Sequence, residues 1–456
     1  MTAPIRTSRR SQFGEVGLEP VSMTRTLASR LALPDRVAEE HAPLYAANAR
    51  AMETAIGALE LGFPSLPLRR FAQATDATTL VVGHASEQLL SSIDSESLID
   101  CLTHRSAFRP GTQLKLVRER EHLESWEVLT VNHGSYSEGH YRTKASALSS
   151  ALDDGYTIVL NGVELRDAAS NVLAGLFECV FGCTVNINGY LSRRKFTSFG
   201  SHWDPHEVVI LQLRGHKEWT VERPSALSMD QIAHGDATSG DRCWQGCIGP
   251  GDAAYVPRGW GHLACSVDEL TFHYTITIPR LNGLDVLEGL LSDLVSDASE
   301  RSLKGNGLPL LPGGEAIEPL PVGASDVDLA VHRAVARARF SIGRRSTASL
   351  RAQISALAGA TTAGMLVRCP CPGGWVVAHD PTSRESTHEG SVIAGMAGQL
   401  LRIDGRHIET IAEVTDGRVH EIGNSMEPRL LRGLICCGIL ETVSGSLPWG
   451  VASAQY

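Results

Sequence analysis

A series of short β-rich segments between residues 112 and 280 constrains the fold of this chain more than any other feature of its sequence. The segments are rich in Val, Ile, Thr and aromatic residues, and turns containing Gly, Pro, Asp and Asn separate them. They begin at Leu114, Trp126, Thr157, Thr184, Glu207, Glu218, Ala254 and Leu270. Many short strands at such spacing predict a β-sandwich or a barrel.

The segments on either side of this region follow a helical period. Residues 24–60 and Glu87 to Leu102 are predicted to be helical, and after Pro279 the apolar period changes from 2 to 3.6. Residues 351–456 mix short helices and strands in an order typical of a winged-helix-like module. The predicted domains are an N-terminal arm with helices (1–80), a catalytic domain (81–280), a helical dimerisation segment (281–350) and a winged-helix-like domain (351–456).

Composition excludes several classes of protein. A net charge of −10 opposes a general affinity for nucleic acid or for an anionic membrane. No segment reaches the ~18 apolar residues that a membrane span needs, and the polar, Arg-rich N-terminus is not expected to act as a secretory signal. The ten cysteines are expected to be reduced thiols of a cytoplasmic protein. Cys179/Cys183 and Cys243/Cys247 resemble half of a zinc site, but neither pair has a second pair at zinc-finger spacing.

Two candidate metal ligands stand two positions apart, just before a long apolar segment. His202 and Asp204 lie in extended chain, where alternate side chains point to the same side. A histidine from a distant strand would complete a set of two histidines and one carboxylate, which leaves three metal positions open. The same spacing recurs at His234-Gly-Asp236, but no strand adjoins that copy, and we predict a surface loop there.

The third ligand is expected from the segment between Pro250 and His262. Pro250-Gly-Asp predicts a turn, and Tyr255-Val-Pro predicts a short strand at a sheet edge or a bulge. A Gly-rich bend then allows His262 to approach the metal. His206 is the competing ligand, since it stands two positions beyond Asp204 on the same face. We prefer His262, because three ligands on one strand would place the metal along that strand.

Two segments carry a resemblance to a known family. They are residues 200–219, Gly-Ser-His-Trp-Asp-Pro-His-Glu-Val-Val-Ile-Leu-Gln-Leu-Arg-Gly-His-Lys-Glu-Trp, and residues 250–262, Pro-Gly-Asp-Ala-Ala-Tyr-Val-Pro-Arg-Gly-Trp-Gly-His. Both resemble the ribosomal-oxygenase branch of the JmjC/cupin-type 2-oxoglutarate oxygenases. The resemblance covers residues 150–280 and extends more faintly, as domain order, to the C-terminus. It implies a mainly β core of the double-stranded β-helix (jelly-roll cupin) type.

The resemblance also implies cofactors and binding residues. Fe(II) would be held by His202, Asp204 and His262, with 2-oxoglutarate and O2 as cosubstrates. Lys217, at the start of a strand, would bind the distal carboxylate of 2-oxoglutarate, and an ammonium suits a carboxylate. The alternative is that Lys217 is a solvated surface residue and that Arg214 or Arg258 binds this carboxylate instead. Further residues expected to bind the cosubstrate or to lie near its pocket are Asn188, Tyr190, His273 and Thr275.

The implied reaction is hydroxylation of an amino-acid side chain, His or Arg, in a ribosomal protein or in a natural-product precursor peptide. One departure from the family concerns the substrate: where the family has Thr-Pro-Pro, this chain has Ser192-Arg-Arg-Lys-Phe196. Arg193, Arg194 and Lys195 either bind an acidic partner or are solvated.

Three other functions are compatible with parts of the sequence. One is a cupin metalloenzyme with chemistry independent of 2-oxoglutarate, and another is a lysine demethylase. The third is a non-enzymatic DNA-binding regulator that acts through its C-terminal module. Residues 351–456 hold eight Arg, no Lys and ten Asp plus Glu, a net charge of −2 that opposes DNA binding.

The apolar stripe of the segment after Pro279 predicts a homodimer. Leu284, Leu287, Leu291 and Leu294 form one helical face that is too apolar for water. The alternative is that this face packs on the barrel of its own chain. Light scattering should give twice the chain mass of 49.0 kDa. A mass of about 49 kDa at micromolar concentration would contradict the dimer.

Overall fold

The structure is a computed structural model that describes the β-rich region and parts of its surroundings. The described residues are 42–73, 79–93, 113–119, 121–123, 125–131, 141–193, 199–224, 242–279, 365–369, 376–379, 391–394, 400–403, 405–423, 426–436 and 439–442, with single positions at 95, 99, 102 and 197. The predicted dimerisation segment 281–350 and the motif His234-Gly-Asp236 lie outside them.

The larger sheet contains eight antiparallel strands. In spatial order they are β1 (Val81–His84), β11 (Asp252–Val256), β8 (Glu207–Arg214), β13 (Thr271–Ile278), β7 (Asn186–Ser192), β6 (Thr157–Leu160), β2 (Leu114–Arg118) and β3 (Glu121–Leu123). A smaller antiparallel sheet has the order β10 (Arg242–Ile248), β9 (Lys217–Glu222) and β12 (Gly261–Ser266). A further pair is formed by β4 (Leu129–Val131) and β5 (Tyr141–Thr143).

The two sheets pack face to face. Val208 and Ile210 of β8 share an apolar cluster with Trp219 and Val221 of β9. Because side chains alternate along a strand, the neighbouring residues of β8 point to the opposite face of the large sheet. The described β-rich region therefore has the mainly β, two-layer architecture that the sequence predicts.

Helices cover the outer face of the large sheet. They are α1 (Ala42–Gly62), α2 (Leu68–Gln73), α3 (Glu87–Ser92), α4 (Ser125–Val128), α5 (Ala145–Asp153) and α6 (Ala168–Phe181). Tyr255 of β11 is fully buried there and stacks on Phe71 of α2 with ring centroids 3.9 Å apart. Phe63 and Phe177 meet edge to face in the same core. This outer core covers the face of the large sheet that points away from the small sheet.

A second core lies in the C-terminal part of the chain. It includes α7 (Ile408–Val414), α8 (Pro428–Cys436) and a sheet of β18 (Val419–Glu421), β14 (Leu366–Arg368) and β19 (Glu441–Thr442). Leu44 and Ala47 of α1 belong to this core, whereas Ala55 and Leu59 belong to the core of the β region. The helix α1 thus packs against both units. Another sheet contains β15 (Val376–His379), β16 (Ser391–Ala394) and β17 (Leu400–Ile403). A winged-helix-like module stays a prediction.

The structure corrects three local predictions. The helix predicted from Glu87 to Leu102 is interrupted: α3 ends at Ser92, because Ile93 is extended and turns its side chain into the core, and the described residues Ser95, Ile99 and Leu102 are helical again. The strand predicted from Trp126 begins as the short helix α4, which lets Val128 and Leu129 both be buried although they are adjacent. Pro257 marks neither an edge nor a bulge: β11 pairs on both sides and ends at Val256, before the proline.

The strand predicted to begin at Thr184 is present, but it begins two residues later, at Asn186.

Within the described ranges, no helix is long and apolar enough to cross a membrane.

A pair of glycines tests the packing of the turn between β8 and β9. Gly215 has φ +63°, and a Cβ there would lie 2.5 Å from the carbonyl oxygen of Leu270. Gly57, in α1, has no atom within 4 Å of a Cβ position. We expect Gly215→Ala to destabilise the protein by about 2 kcal/mol or more and Gly57→Ala to stabilise it by about 0.5–1 kcal/mol. Thermal unfolding of both variants checks this, and equal midpoints would contradict it.

Candidate metal centre

A reciprocal pair of backbone hydrogen bonds joins His202 to His262. The amide of His202 donates to the carbonyl of His262 at 3.1 Å, and the amide of His262 donates to that of His202 at 2.7 Å. A third bond ties the same segments, since the amide of Gly259 donates to the carbonyl of Asp204 at 2.8 Å. The loop before β8 and the start of β12 are therefore held in one register.

This register brings three ligand-type side chains together. Ligand atoms of His202, Asp204 and His262 all lie within 4.8 Å of one another. The Nε2 atom of His262 is 3.5 Å from Oδ2 of Asp204, and the two imidazole centroids are 4.4 Å apart. Ligands at ~2.1 Å from a metal on one coordination face would be separated by about 3 Å. Small side-chain movements are enough to close the set around an ion.

Each of the two imidazoles is oriented by a contact between its Nδ1 atom and the backbone carbonyl two residues earlier, so that Nε2 points toward the other ligand-type side chains. Nδ1 of His202 is 3.1 Å from the carbonyl of Gly200, and Nδ1 of His262 is 3.1 Å from the carbonyl of Trp260. A carbonyl accepts the Nδ1 proton, which leaves the Nε2 lone pair free for a metal.

The surroundings of His262 keep its imidazole neutral. Burial lowers the pKa of His262 to about 4, and the charge of nearby His202 acts in the same direction. His262 is therefore a neutral lone-pair donor at pH 7. Together with His202 and the Asp204 carboxylate, it gives the donor set of a non-haem Fe(II) site with open positions.

The competing ligands lie outside this group. Nε2 of His206 is 3.8 Å from Oδ2 of Asp204, but His206 does not belong to the set whose atoms all lie within 4.8 Å. Among the described residues, no group of three or more metal-ligating side chains contains a cysteine. Cys179 and Cys183 are buried free thiols, while Cys243 and Cys247 are exposed.

Lys217 lies in the same cavity as the three ligand-type residues. It is 3% exposed at the start of β9, and its burial lowers the pKa of the ammonium to about 7. The cavity is lined by Tyr190, Phe199, Gly200, His202, Asp204, Lys217, Trp219, His262, Ala264, His273 and Thr275. Arg214 and Arg258, the alternative anchors, are exposed and do not line it.

The remaining predicted residues form one wall of the cavity. The rings of Tyr190 and His273 stack at 4.9 Å. Burial raises the pKa of Tyr190 and lowers that of His273, so both side chains are neutral. Asn188 does not line the cavity: it hydrogen-bonds to Tyr190, and its Oδ1 accepts from the amide of Gly162 at 3.3 Å. Asn188 is thus a hydrogen-bond partner of the cavity-lining Tyr190.

Sequence reasoning missed four lining residues, namely Phe199, Gly200, Trp219 and Ala264. Two of them carry a signal in the sequence. Trp219 stands two positions after Lys217, and Ala264 stands two positions after His262, so strand alternation alone places them on the interior face.

The divergent loop after β7 is described only at its first basic residue. Arg193 forms an ion pair with Asp153 at the end of α5. Arg194 and Lys195 lie outside the described residues. Arg193 therefore has a partner within the chain itself.

A pair of variants tests the assignment of the third ligand. His262→Ala should weaken Mn(II) binding by more than about a hundredfold, because it removes a direct donor. His206→Ala should change it only a few-fold. Isothermal titration calorimetry measures both. Normal binding by His262→Ala, with loss in His206→Ala, would make His206 the ligand.

Part of the chain is similar to known proteins that are named hydroxylases and oxygenases. Residues 164–285 match the JmjC domain family. The chain is 32% identical over 135 residues to the bifunctional lysine-specific demethylase and histidyl-hydroxylase NO66 of Drosophila persimilis, which is 28% of this chain and 20% of that protein. It is 30% identical over 194 residues to ribosomal oxygenase 1 of Gallus gallus, 39% of this chain and 32% of that protein. The chain thus spans less than a third of the length of either relative.

A solved structure aligns with much of the chain at a low level of similarity. The ribosomal oxygenase YcfD of Escherichia coli, in complex with cobalt and 2-oxoglutarate, aligns with a TM-score of 0.48 and 14% identity. The alignment covers 83% of this chain and 99% of that one. The matches in sequence confirm the predicted resemblance: residues 164–285 match the JmjC domain family, and part of the chain resembles the ribosomal oxygenases.

Proposed function

We propose that this protein is a 2-oxoglutarate- and Fe(II)-dependent oxygenase that hydroxylates a His or Arg side chain in a protein or peptide. One observation carries the proposal. A single cavity contains a two-histidine, one-carboxylate group and a buried lysine for which no ion pair with a carboxylate is found among the described residues. A molecule that chelates a metal at one end and carries a negative charge at the other would match the metal ligands and the lysine of this cavity.

The metal would be held by His202, Asp204 and His262. When bound, Fe(II) supplies the activation of O2 that oxidises 2-oxoglutarate to succinate and CO2 and adds one oxygen to the substrate. The residues of the chain hold the reactants and exclude water. Buried apolar side chains behind the cavity, among them Val208 and Val221, keep the site dry.

Lys217 would bind the distal carboxylate of 2-oxoglutarate. Burial disfavours its charged form, and a carboxylate in the same cavity would restore that charge. Tyr190, His273 and Thr275 line the same cavity and offer neutral hydrogen-bonding groups. Asn188 would act through Tyr190, by holding its hydroxyl.

The class of substrate follows from charge and from the relatives. NO66 is named a histidyl-hydroxylase, and the avian relative is named a ribosomal oxygenase. Ribosomal proteins are strongly basic, and a chain with a net charge of −10 attracts basic partners. A ribosomal protein is therefore the preferred substrate, and a short precursor peptide is the alternative.

The proposal includes a homodimer through residues 281–350, a cytoplasmic location and no direct nucleic-acid partner.

Mass spectrometry tests the reaction. Ribosomal proteins and precursor peptides are incubated with the enzyme, Fe(II) and 2-oxoglutarate, and peptides are searched for one added oxygen on His or Arg. Asp204→Ala is the control, because it removes the carboxylate ligand. Loss of a methyl group from lysine would instead indicate a demethylase. Substrate turnover without succinate would indicate a cupin with other chemistry.

The pKa of Lys217 predicts a pH dependence of cosubstrate binding. Since the lysine is about half neutral near pH 7, a bound carboxylate must draw a proton onto it. The dissociation constant of 2-oxoglutarate with Mn(II) should therefore rise above pH 7, by up to about tenfold per pH unit. Lys217→Met should weaken binding and remove this dependence.

Lys115→Met is the matched control, because Lys115 is exposed on β2 and is not one of the residues that line the cavity. It should bind 2-oxoglutarate as the wild type does. If Lys217→Met keeps the affinity and pH profile of the wild type, another basic residue is the anchor.

A further inference from the structure

The indole of Trp219 carries a buried donor for which the described residues offer no acceptor. Trp219 is 5% exposed, and its Nε1 atom has no hydrogen-bond partner among the described residues. The side chain lines the cavity that contains Lys217 and the three ligand-type residues. An unsatisfied buried N–H is uncommon in native proteins and calls for an explanation.

The indole lies between the two ends of the cavity. Trp219 stands two positions after Lys217 on the interior face of β9, and it pairs in register with Ala264 of β12. Its ring centroid is 6.2 Å from that of His262. A molecule that reaches from the metal ligands to Lys217 must therefore pass the indole.

Packing prevents the indole from turning its N–H to solvent. The ring meets His273 edge to face at 5.6 Å, and it belongs to the cluster that joins the two sheets. Nδ1 of His273 likewise has no hydrogen-bond partner among the described residues. Two residues that line one cavity thus each hold a buried polar atom without a partner among the described residues, and a ligand in that cavity would supply the acceptor for the indole.

We propose that Trp219 is a cosubstrate-binding residue whose indole N–H donates a hydrogen bond to a carboxylate oxygen of 2-oxoglutarate. This inference rests on the function proposed above. Lys217 supplies charge at the distal end, and Trp219 supplies a directed donor along the side of the molecule. A hydrogen bond to a charged acceptor in a dry site is stronger than one between neutral groups.

The substitution Trp219→Phe tests the proposal because it keeps an aromatic ring against His273 and removes only the donor and one ring. Binding of 2-oxoglutarate is measured by calorimetry in the presence of Mn(II). We expect the dissociation constant to rise roughly tenfold or more, while the affinity for Mn(II) alone stays unchanged.

Trp244→Phe is the matched control. Trp244 lies on the neighbouring strand β10 and packs against the same cluster, but it does not line the cavity. This variant should bind 2-oxoglutarate as the wild type does. Equal affinities in Trp219→Phe and wild type would overturn the inference, whereas a wild type that fails to bind 2-oxoglutarate would overturn the proposed function instead.

A second measurement needs no destabilising substitution. The seven tryptophans give seven indole N–H resonances in a ¹⁵N-labelled sample, and Zn(II) serves as a diamagnetic metal. Addition of 2-oxoglutarate should move the Trp219 resonance downfield, as a new hydrogen bond to a carboxylate requires, and leave that of Trp244 in place. An unmoved Trp219 resonance at saturation would overturn the inference even if Trp219→Phe fails to fold.

Discussion

The two backbone hydrogen bonds between His202 and His262 are the constraint on which the candidate site depends. They join the segment before β8 to the start of β12, and the bond from Gly259 to the carbonyl of Asp204 fixes the same alignment. A slip of one residue would turn His262 to the opposite face of its strand. The ligand atoms meet because the backbone is held first, and the side chains need only the Nδ1 contacts to local carbonyls to be oriented.

The burial of polar groups around the cavity is unfavourable for the free energy of folding, and the apolar packing around them offsets it. Lys217 is buried with its pKa lowered to about 7, and the donor of Trp219 and Nδ1 of His273 have no partners in the described part of the chain. Burial of such groups is unfavourable unless a ligand completes them. The apolar cluster between the sheets and the outer core under the helices hold this arrangement in place. Under the proposed function, 2-oxoglutarate and Fe(II) would remove much of the cost on binding.

The helix α1 relates the β region to the C-terminal core. Its first half contributes Leu44 and Ala47 to one core, and its second half contributes Ala55 and Leu59 to the other. The β region and the C-terminal core, which are far apart in the sequence, thus pack against the same helix. No local pattern of the sequence indicated this double role, because each half of the helix simply shows apolar residues at helical spacing.

The sequence by itself determined the mainly β architecture, the face shared by His202 and Asp204, and the place of Lys217 at the start of a strand. These features depend on local periodicity, since alternation assigns side chains to faces without knowledge of which strands pair. Only the tertiary structure brought His262, which the sequence favoured over His206, next to His202 and Asp204, set the ring of Trp219 near it and paired Arg193 with Asp153. It also interrupted the predicted helix at Ile93 and placed β11 between two partners. Those outcomes depend on contacts between distant segments, and the pairing of strands that creates them is not encoded in the spacing of neighbouring residues.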